Sequence, residues 1–203
     1  MGLRPTPDPE PAGYPAELAG EVVLADGTPL HLRAIRPEDS DGLVEFHSAL
    51  TQWTIYLRFF SAHRELSDEE VRWFTHVDYH DRLALVAELG PGADPGPPLV
   101  GVGRYDRLPE TADAEVAFVV ADGYQHHGLG TVLLDRLAQA AWPRGITHFV
   151  AEVLVGNAAM LRVFFDSHYA VEWDQREGTI QLRFPIDPAG RVPGGPAPNH
   201  RVR

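Results

Sequence analysis

The residues best suited to chemistry lie in one stretch, from Ala114 to Thr131, that reads AEVAFVVADGYQHHGLGT. An alternating apolar run carrying Glu115 leads into a short loop, and the loop opens a helix around Gly128-Leu129-Gly130. Unpaired amides at a helix N-terminus add to the helix dipole and attract anions. Two glycines at spacing two let the backbone approach a phosphate with no Cβ in the way. The segment is not a nucleotide P-loop, because no Lys-Ser/Thr pair finishes it. Nor is it a dinucleotide fingerprint, because Leu133 and Leu134 stand where the third glycine would fall. Gly101-Val102-Gly103 fails the same test. Taken alone, the two glycines equally suit a plain strand-to-helix turn.

Two carboxylates are placed to move protons. Glu115 precedes Gln125 by ten residues, and strand alternation puts Glu115, Ala117 and Val119 on one face. Glu152 sits in a second apolar run, Phe149-Val150-Ala151-Glu152-Val153. A pair of carboxylates across a strand gap can share proton work, although either residue also reads as the polar side of a half-buried strand. His76 and His80 have helical ligand spacing, but no Glu base or third ligand accompanies them. Solvated or substrate-facing histidines are the expectation there, with no metal.

These residues need a scaffold, and the pattern supplies one. Runs at 21–25 and 29–35 flank Asp26-Gly27, a hairpin signal. Pro37 opens a helix with Leu43, Phe46 and Leu50 at helical spacing, and an aromatic-rich helix covers 53–60. Ser67 and Glu70 form a capping box for a third helix. Strands are expected at 83–89, 99–105 and 114–120, and a long helix at about 127–142. A strand at 148–155, a helix opening at Asn157 and strands at 169–173 and 179–184 close the domain. The order β-β-α-α-α-β-β-β-α-β-α-β-β indicates α/β with a mixed sheet. Of eighteen prolines, five lie in 5–15, four in 91–98 and five in 185–198. The expected organisation is a Pro-rich flexible tail at 1–20, one domain at 21–186 and a Pro/Gly-rich tail at 187–203, with a surface loop at 90–98.

Composition narrows the classes further. The 203 residues hold 44% hydrophobic side chains, enough for a real core, and a net charge of −12. Such acidity argues against nucleic acid, whose phosphates need a basic face. Cysteine is absent, which excludes disulfides, thiolate nucleophiles and Cys-ligated zinc. No apolar run reaches the roughly 20 residues of a membrane span, and the first residues lack an apolar signal region. A cytoplasmic enzyme or binding module is expected, with no membrane partner. All seventeen basic residues are Arg; the chain has no Lys.

With these residues in view, the sequence resembles the GNAT superfamily of acyl-CoA-dependent N-acetyltransferases. Gln125-His126-His127-Gly128-Leu129-Gly130 is similar to its pyrophosphate motif Q/R-x-x-G-x-G/A. Asn157, seven residues before Phe164, is similar to the Asn of the family's downstream helix, and His168-Tyr169 replaces the usual Gly-Phe. More narrowly, Tyr56-x-Arg58-Phe59-Phe60, Asp78-Tyr79 and Ala114-Glu115-Val116-Ala117-Phe118 resemble the bacterial Pat-type protein-lysine acetyltransferases, which modify acyl-CoA synthetases. The resemblance covers about 30–185. It implies a single domain whose mixed, mostly antiparallel sheet of about seven strands is flanked by about five helices, with splayed central strands holding acyl-CoA.

The resemblance also implies roles. Acetyl-CoA would be co-substrate, held by Gln125, His126, His127, Gly128, Leu129, Gly130 and Thr131. Amides of Val119, Val120 and Ala121 would pair with its pantetheine arm, one near Val119 serving the oxyanion, and Asn157 and Phe164 would border it. Only a neutral amine attacks a thioester, and an alkyl ammonium of pKa ≈ 10.4 is only about 0.1% neutral near pH 7.4. Glu115 would therefore take the proton, with Glu152 second. Tyr56, Arg58, Asp78 and Tyr79 would line the acceptor cleft, the Asp78 carboxylate attracting a cationic amine. Many relatives protonate the leaving thiolate with a Tyr; the matching position here is Phe164, leaving Tyr124 and Tyr169 as substitutes. The expected acceptor is a protein lysine, with a small amine (polyamine or aminoglycoside) second and a non-catalytic acyl-CoA sensor third. The chain is expected to act as a monomer or homodimer.

Overall fold

The computed structural model describes residues 11–90, 98–190 and 199–200. A hairpin of β1 (Gly20–Val23) and β2 (Pro29–Ala34) opens the sheet. Its turn is closed by the Thr28 amide donating to Asp26 Oδ1 at 2.9 Å. Three short helices follow: α1 (Ser40–Ala49), α2 (Gln52–Phe59) and α3 (Asp68–Thr75). The Ser67/Glu70 capping box starts α3, and Thr51 caps α2 by accepting from the Thr54 amide. Strands β3 (Arg82–Leu89), β4 (Leu99–Arg107) and β5 (Asp113–Val120) then run antiparallel before α4 (Leu129–Ala141) crosses over to β6 (His148–Leu154). The chain continues through α5 (Ala158–Phe165), β7 (Glu172–Arg176), β8 (Thr179–Pro185) and the two-residue β9 (Asn199–His200).

The sheet order is β1-β2-β3-β4-β5-β6-β8-β7-β9, parallel only at β5·β6 and β7·β9. This is the expected mixed, mostly antiparallel sheet with five helices; eight strands and the short β9 replace about seven. The sheet has a core on each face. Ala114, Val116 and Phe118 of β5 point toward Leu133, Leu137 and Phe164 of α4 and α5. Val119 and Ala121 point the other way, toward Leu43, Phe46 and Ile55 of α1 and α2.

The expected boundaries shift at three places. Residues 1–10, 91–97, 191–198 and 201–203 lie outside the described residues, which takes in most of both expected tails and the 90–98 loop. Within the expected first tail, Tyr14 packs edge-on against Tyr79 at 5.6 Å and donates to the Ala34 carbonyl. That segment is attached because an aromatic ring and its hydroxyl are both satisfied on the fold. Strand β7 begins at Glu172, later than the expected 169–173. Tyr169 is instead a buried plug, its ring 5.4 Å from Phe184 and its hydroxyl donating to Asp135 at 3.1 Å.

Candidate active site

The site begins where the sheet opens. β5 and β6 pair only from Asp113 to Glu115, against His148 to Val150, and then diverge. A cleft of about 610 Å3 fills the divergence, and Glu115, at the fork of the two strands, lines it. Glu115 is exposed, on the same face as Ala117 and Val119, as alternation requires. It stands directly opposite Asp106 of β4, whose carboxylate is held by Arg104 Nε at 2.8 Å and Arg82 Nε at 2.9 Å. Burial draws the Asp106 carboxyl upward, but those two guanidinium groups outweigh it and keep it below the usual range. Glu152 lines the same cleft from β6, and its Oε1 accepts from Thr179 of β8 at 2.7 Å. That bond draws it away from the β5 side.

Backbone direction corrects one expectation. The Ala121 amide donates to the Val100 carbonyl at 2.9 Å, on the β4 side. Antiparallel alternation then turns the Val119 and Ala117 amides toward β4 as well. The Val116 amide turns to β6, where the last rung of the β5·β6 ladder uses it, and the amides facing the open side are those of Phe118 and Val120. Val119 and Val120 line the cleft, but Ala121 does not, and Val119 is not placed to serve an oxyanion through its amide.

At the far end of the cleft lies the loop 125–131. Gly128 caps α4 with φ +92, and neither a capping side chain nor an acidic residue occupies the first turn. The helix start therefore offers its amides and dipole unopposed, the anion site expected from the sequence. Gly130 has a second reason to be glycine: a Cβ there would stand 2.9 Å from Val163 Cγ2 of α5. Gly128, Gly130, Thr131 and His126 face the cleft; the Leu129 side chain is anchored in the core.

One loop residue turns elsewhere, and another is braced within the cleft wall. His127 is directed to the β1–β2 turn, with Nδ1 2.9 Å from Asp26 Oδ2, and its carbonyl accepts from the Ala25 amide at 3.2 Å. It does not line the cleft. Gln125 lines the cleft, and its side chain donates to Thr54 Oγ1 at 3.2 Å and the Val120 carbonyl at 3.0 Å, which braces the loop.

The remaining walls come from α2 and α5. Asn157 caps α5 by accepting from the Met160 amide at 3.1 Å and also lines the cleft. Phe164 is buried against Phe118 and Phe184, with centroids 6.0 and 5.6 Å away. Tyr124 lines the cleft, whereas the Tyr169 hydroxyl is spent on Asp135. From α2, Leu57, Arg58 and Phe60 complete the wall. Burial pulls the Arg58 guanidinium down to about 10; Arg104 adds to this, and Glu115 and Asp106 oppose it. It stays a cation at neutral pH.

Three expected acceptor residues fall outside the cleft. Asp78 is consumed locally, its Oδ1 accepting from the amides of His80, Asp81 and Arg82. Tyr79 is buried at φ 60 with its hydroxyl on the Ile35 carbonyl at 3.0 Å. Tyr56 stacks on Trp53 at 5.7 Å on the outer face of α2. Sequence reading missed Thr54, Met160, Arg162 and Val163 of the cleft wall, and Asp122 behind it. A Thr-x-x-Thr pair preceding the aromatic helix was the available signal for the last.

Comparison with known proteins agrees with this geometry. The Acetyltransferase (GNAT) family model matches residues 49–166. The GNAT domain of S. lividans PAT is 36% identical with a TM-score of 0.77, over 85% of this chain and 99% of that one. Acetyltransferase Pat of Mycolicibacterium smegmatis is 31% identical over 187 residues, 90% of this chain. This chain spans about half, 53%, of that relative's length. Acetyltransferase PA5475 of Pseudomonas aeruginosa is 29% identical over 68% of this chain and 73% of its own. A parted β5–β6 pair with a carboxylate at the fork, a helix start without a side-chain cap or acidic residue on the same cleft, and these similarities lead to one statement: the chain belongs to the GNAT acetyltransferase family.

Proposed function

We propose that the chain transfers an acetyl group from acetyl-CoA to a lysine side chain of a partner protein, with Glu115 as the general base. One observation carries this reading: Glu115 and the uncapped start of α4 occupy opposite ends of a single 610 Å3 cleft. Pyrophosphate on the 128–131 turn would run the pantetheine arm along the open edge of β5. The amides of Phe118 and Val120 would meet it, as an added strand is met. The thioester would then lie near Glu115, which accepts the amine proton as nitrogen attacks the carbonyl carbon. Collapse of the tetrahedral intermediate expels the CoA thiolate, which takes its proton from Tyr124 or from water. Phe164 has none to give. Support for a protein acceptor comes from the outer face of α2, where Trp53 and Tyr56 are 60% and 40% exposed, next to Phe60 of the wall at 38%. Exposed aromatics of this kind favour protein contact.

The test is an acceptor screen by mass spectrometry, with acetyl-CoA and a lysate set beside a panel of polyamines and aminoglycosides. Acetyl-lysine on a discrete set of lysate proteins is the expected result; turnover only in the amine panel would overturn the lysine assignment. Interpretation is simplified by the chain itself, which has no lysine to contribute a background signal.

The cofactor end has its own test. At φ +92 a Cβ costs roughly 1–2 kcal/mol in strain, yet nothing lies within 4 Å to clash with it. Gly128→Val should therefore weaken acetyl-CoA binding about tenfold by titration calorimetry. Gly130→Val is the poorer probe, because it also drives α4 off Val163. Undiminished affinity in Gly128→Val would place the pyrophosphate elsewhere.

A further inference from the structure

We propose that Asp122 is a positioning residue that locks the cofactor loop to the first turn of α2, so that filling the loop and ordering the Leu57–Arg58–Phe60 wall are one coupled event. The inference rests on the acetyl-CoA reading above and adds a link between its two substrate sites. Asp122 sits in the turn after β5. Its Oδ2 accepts from the Thr51 amide at 3.0 Å, and its Oδ1 accepts from the Thr51 hydroxyl at 2.8 Å and the Thr54 hydroxyl at 2.7 Å. The Thr54 oxygen in turn accepts from Gln125 Nε2 at 3.2 Å, inside the pyrophosphate motif itself. Gln125 also grips the Val120 carbonyl, the last residue of β5. One network thus joins α2, the end of β5 and the loop, although its halves lie about seventy residues apart in sequence.

The tether matters because the other anchors of α2, Ile55 and the Phe59 ring packed on His47, His63 and Phe74, hold it to the neighbouring helices and not to the cofactor loop. Of its eight residues only Thr54 and Ile55 are buried. It ends at Phe60 in the left-handed conformation and turns Trp53 and Tyr56 outward. Its inner side supplies Leu57 and Arg58 to the cleft. Burial draws the Asp122 carboxyl upward, but the donors on Thr51 and Thr54 outweigh it and hold it ionised. Charge-assisted hydrogen bonds of this kind are among the stronger polar contacts. A ligand that fixes the loop therefore fixes the Gln125–Thr54–Asp122 network and, through it, the wall met by the acceptor. Coupling of two binding sites is reciprocal, so acceptor binding must tighten the loop by the same factor.

Thr54→Val keeps the shape of the side chain and removes its hydroxyl; Thr54→Ser restores it. Hydrogen exchange of the α2 amides is read with and without CoA, together with CoA affinity by calorimetry. In wild type and Thr54→Ser, CoA should slow exchange across α2 by about tenfold, and in Thr54→Val by less than about twofold. The CoA Kd of Thr54→Val should rise about tenfold. In turnover assays the KM values for acetyl-CoA and acceptor should rise together while kcat falls less. Should Thr54→Val fail to fold, Asp122→Asn, which turns one acceptor oxygen into a donor facing the Thr donors, carries the same expectations. A lowered melting temperature in Thr54→Val with CoA-induced protection of α2 unchanged would overturn the coupling and leave only a structural role. CoA binding to wild type without any change in α2 exchange would overturn the coupling alone. No CoA binding to wild type would overturn the cofactor reading and the coupling with it.

Discussion

Glu115→Gln should lower kcat by about 10²–10⁴-fold at pH 7 while leaving the acetyl-CoA KM near its wild-type value. The substitution keeps the shape of the side chain at the fork of β5 and β6 and removes only its ability to accept a proton. The direction with pH follows from the acceptor. Below an amine pKa of about 10.4 the neutral fraction grows roughly tenfold per pH unit, so a base is needed less as pH rises. The wild-type-to-variant ratio should therefore shrink from pH 7 toward pH 9, and a pH–rate profile on the acceptor found by the screen would show it. Glu152→Gln, whose carboxylate is already engaged by Thr179, should cost less. Full turnover by Glu115→Gln at pH 7 would remove the base assignment and leave Glu152 or a water as the proton acceptor.

The second large effect is on stability. Phe164 is 1% exposed and packs against Phe118 and Phe184 at the junction of α5 with the sheet. Phe164→Ala should lower the unfolding free energy by about 3–5 kcal/mol in urea, the cost of lost burial plus a cavity that the rigid sheet cannot close. Phe164→Tyr is the informative companion. A hydroxyl forced into this aromatic cluster should cost about 1–3 kcal/mol through overpacking and bring no gain in kcat. Because Phe164 also borders the cleft, a gain would mean that a hydroxyl there can reach the leaving group and that a proton donor was missing. A loss under 1 kcal/mol in Phe164→Ala would mean that the position can collapse and that the cluster is looser than its ring distances indicate.

What the sequence disclosed was whatever depends on neighbours in the chain. Alternation placed Glu115, Ala117 and Val119 on one face, the Ser67/Glu70 pair set a helix start, and Gly128 marked the left-handed turn into α4. What it concealed depends on distant partners or on unusual backbone. His126 and Tyr79 adopt φ 66 and φ 60, and each reorients its neighbourhood in ways no periodicity announces. His127 was assigned to phosphate by its place in a motif, yet Asp26, a hundred residues earlier, claims it. Gln125 lines the cleft as its motif suggests, but its brace to Thr54, seventy-one residues earlier, was not visible in the sequence. Asp78-Tyr79 looked like part of the acceptor wall; three backbone amides and a carbonyl bind the pair into a turn instead. Asp122 drew no notice because an acidic residue before Gly-Tyr resembles any solvated turn.

The fork between β5 and β6 has a consequence for how the protein behaves in a tube. Past Glu115 the two strands present backbone donors and acceptors to each other's absent partner, in the middle of a nine-stranded sheet rather than at its rim. Chemically that is an edge strand turned inward. Any extended segment, including one from another copy, finds there the hydrogen-bonding template that makes sheet edges prone to association. The pantetheine arm, with its two amides, is the small molecule shaped to occupy the same template. Handling the protein with CoA present should thus suppress self-association as well as raise its melting temperature, since one ligand satisfies both the site and the edge.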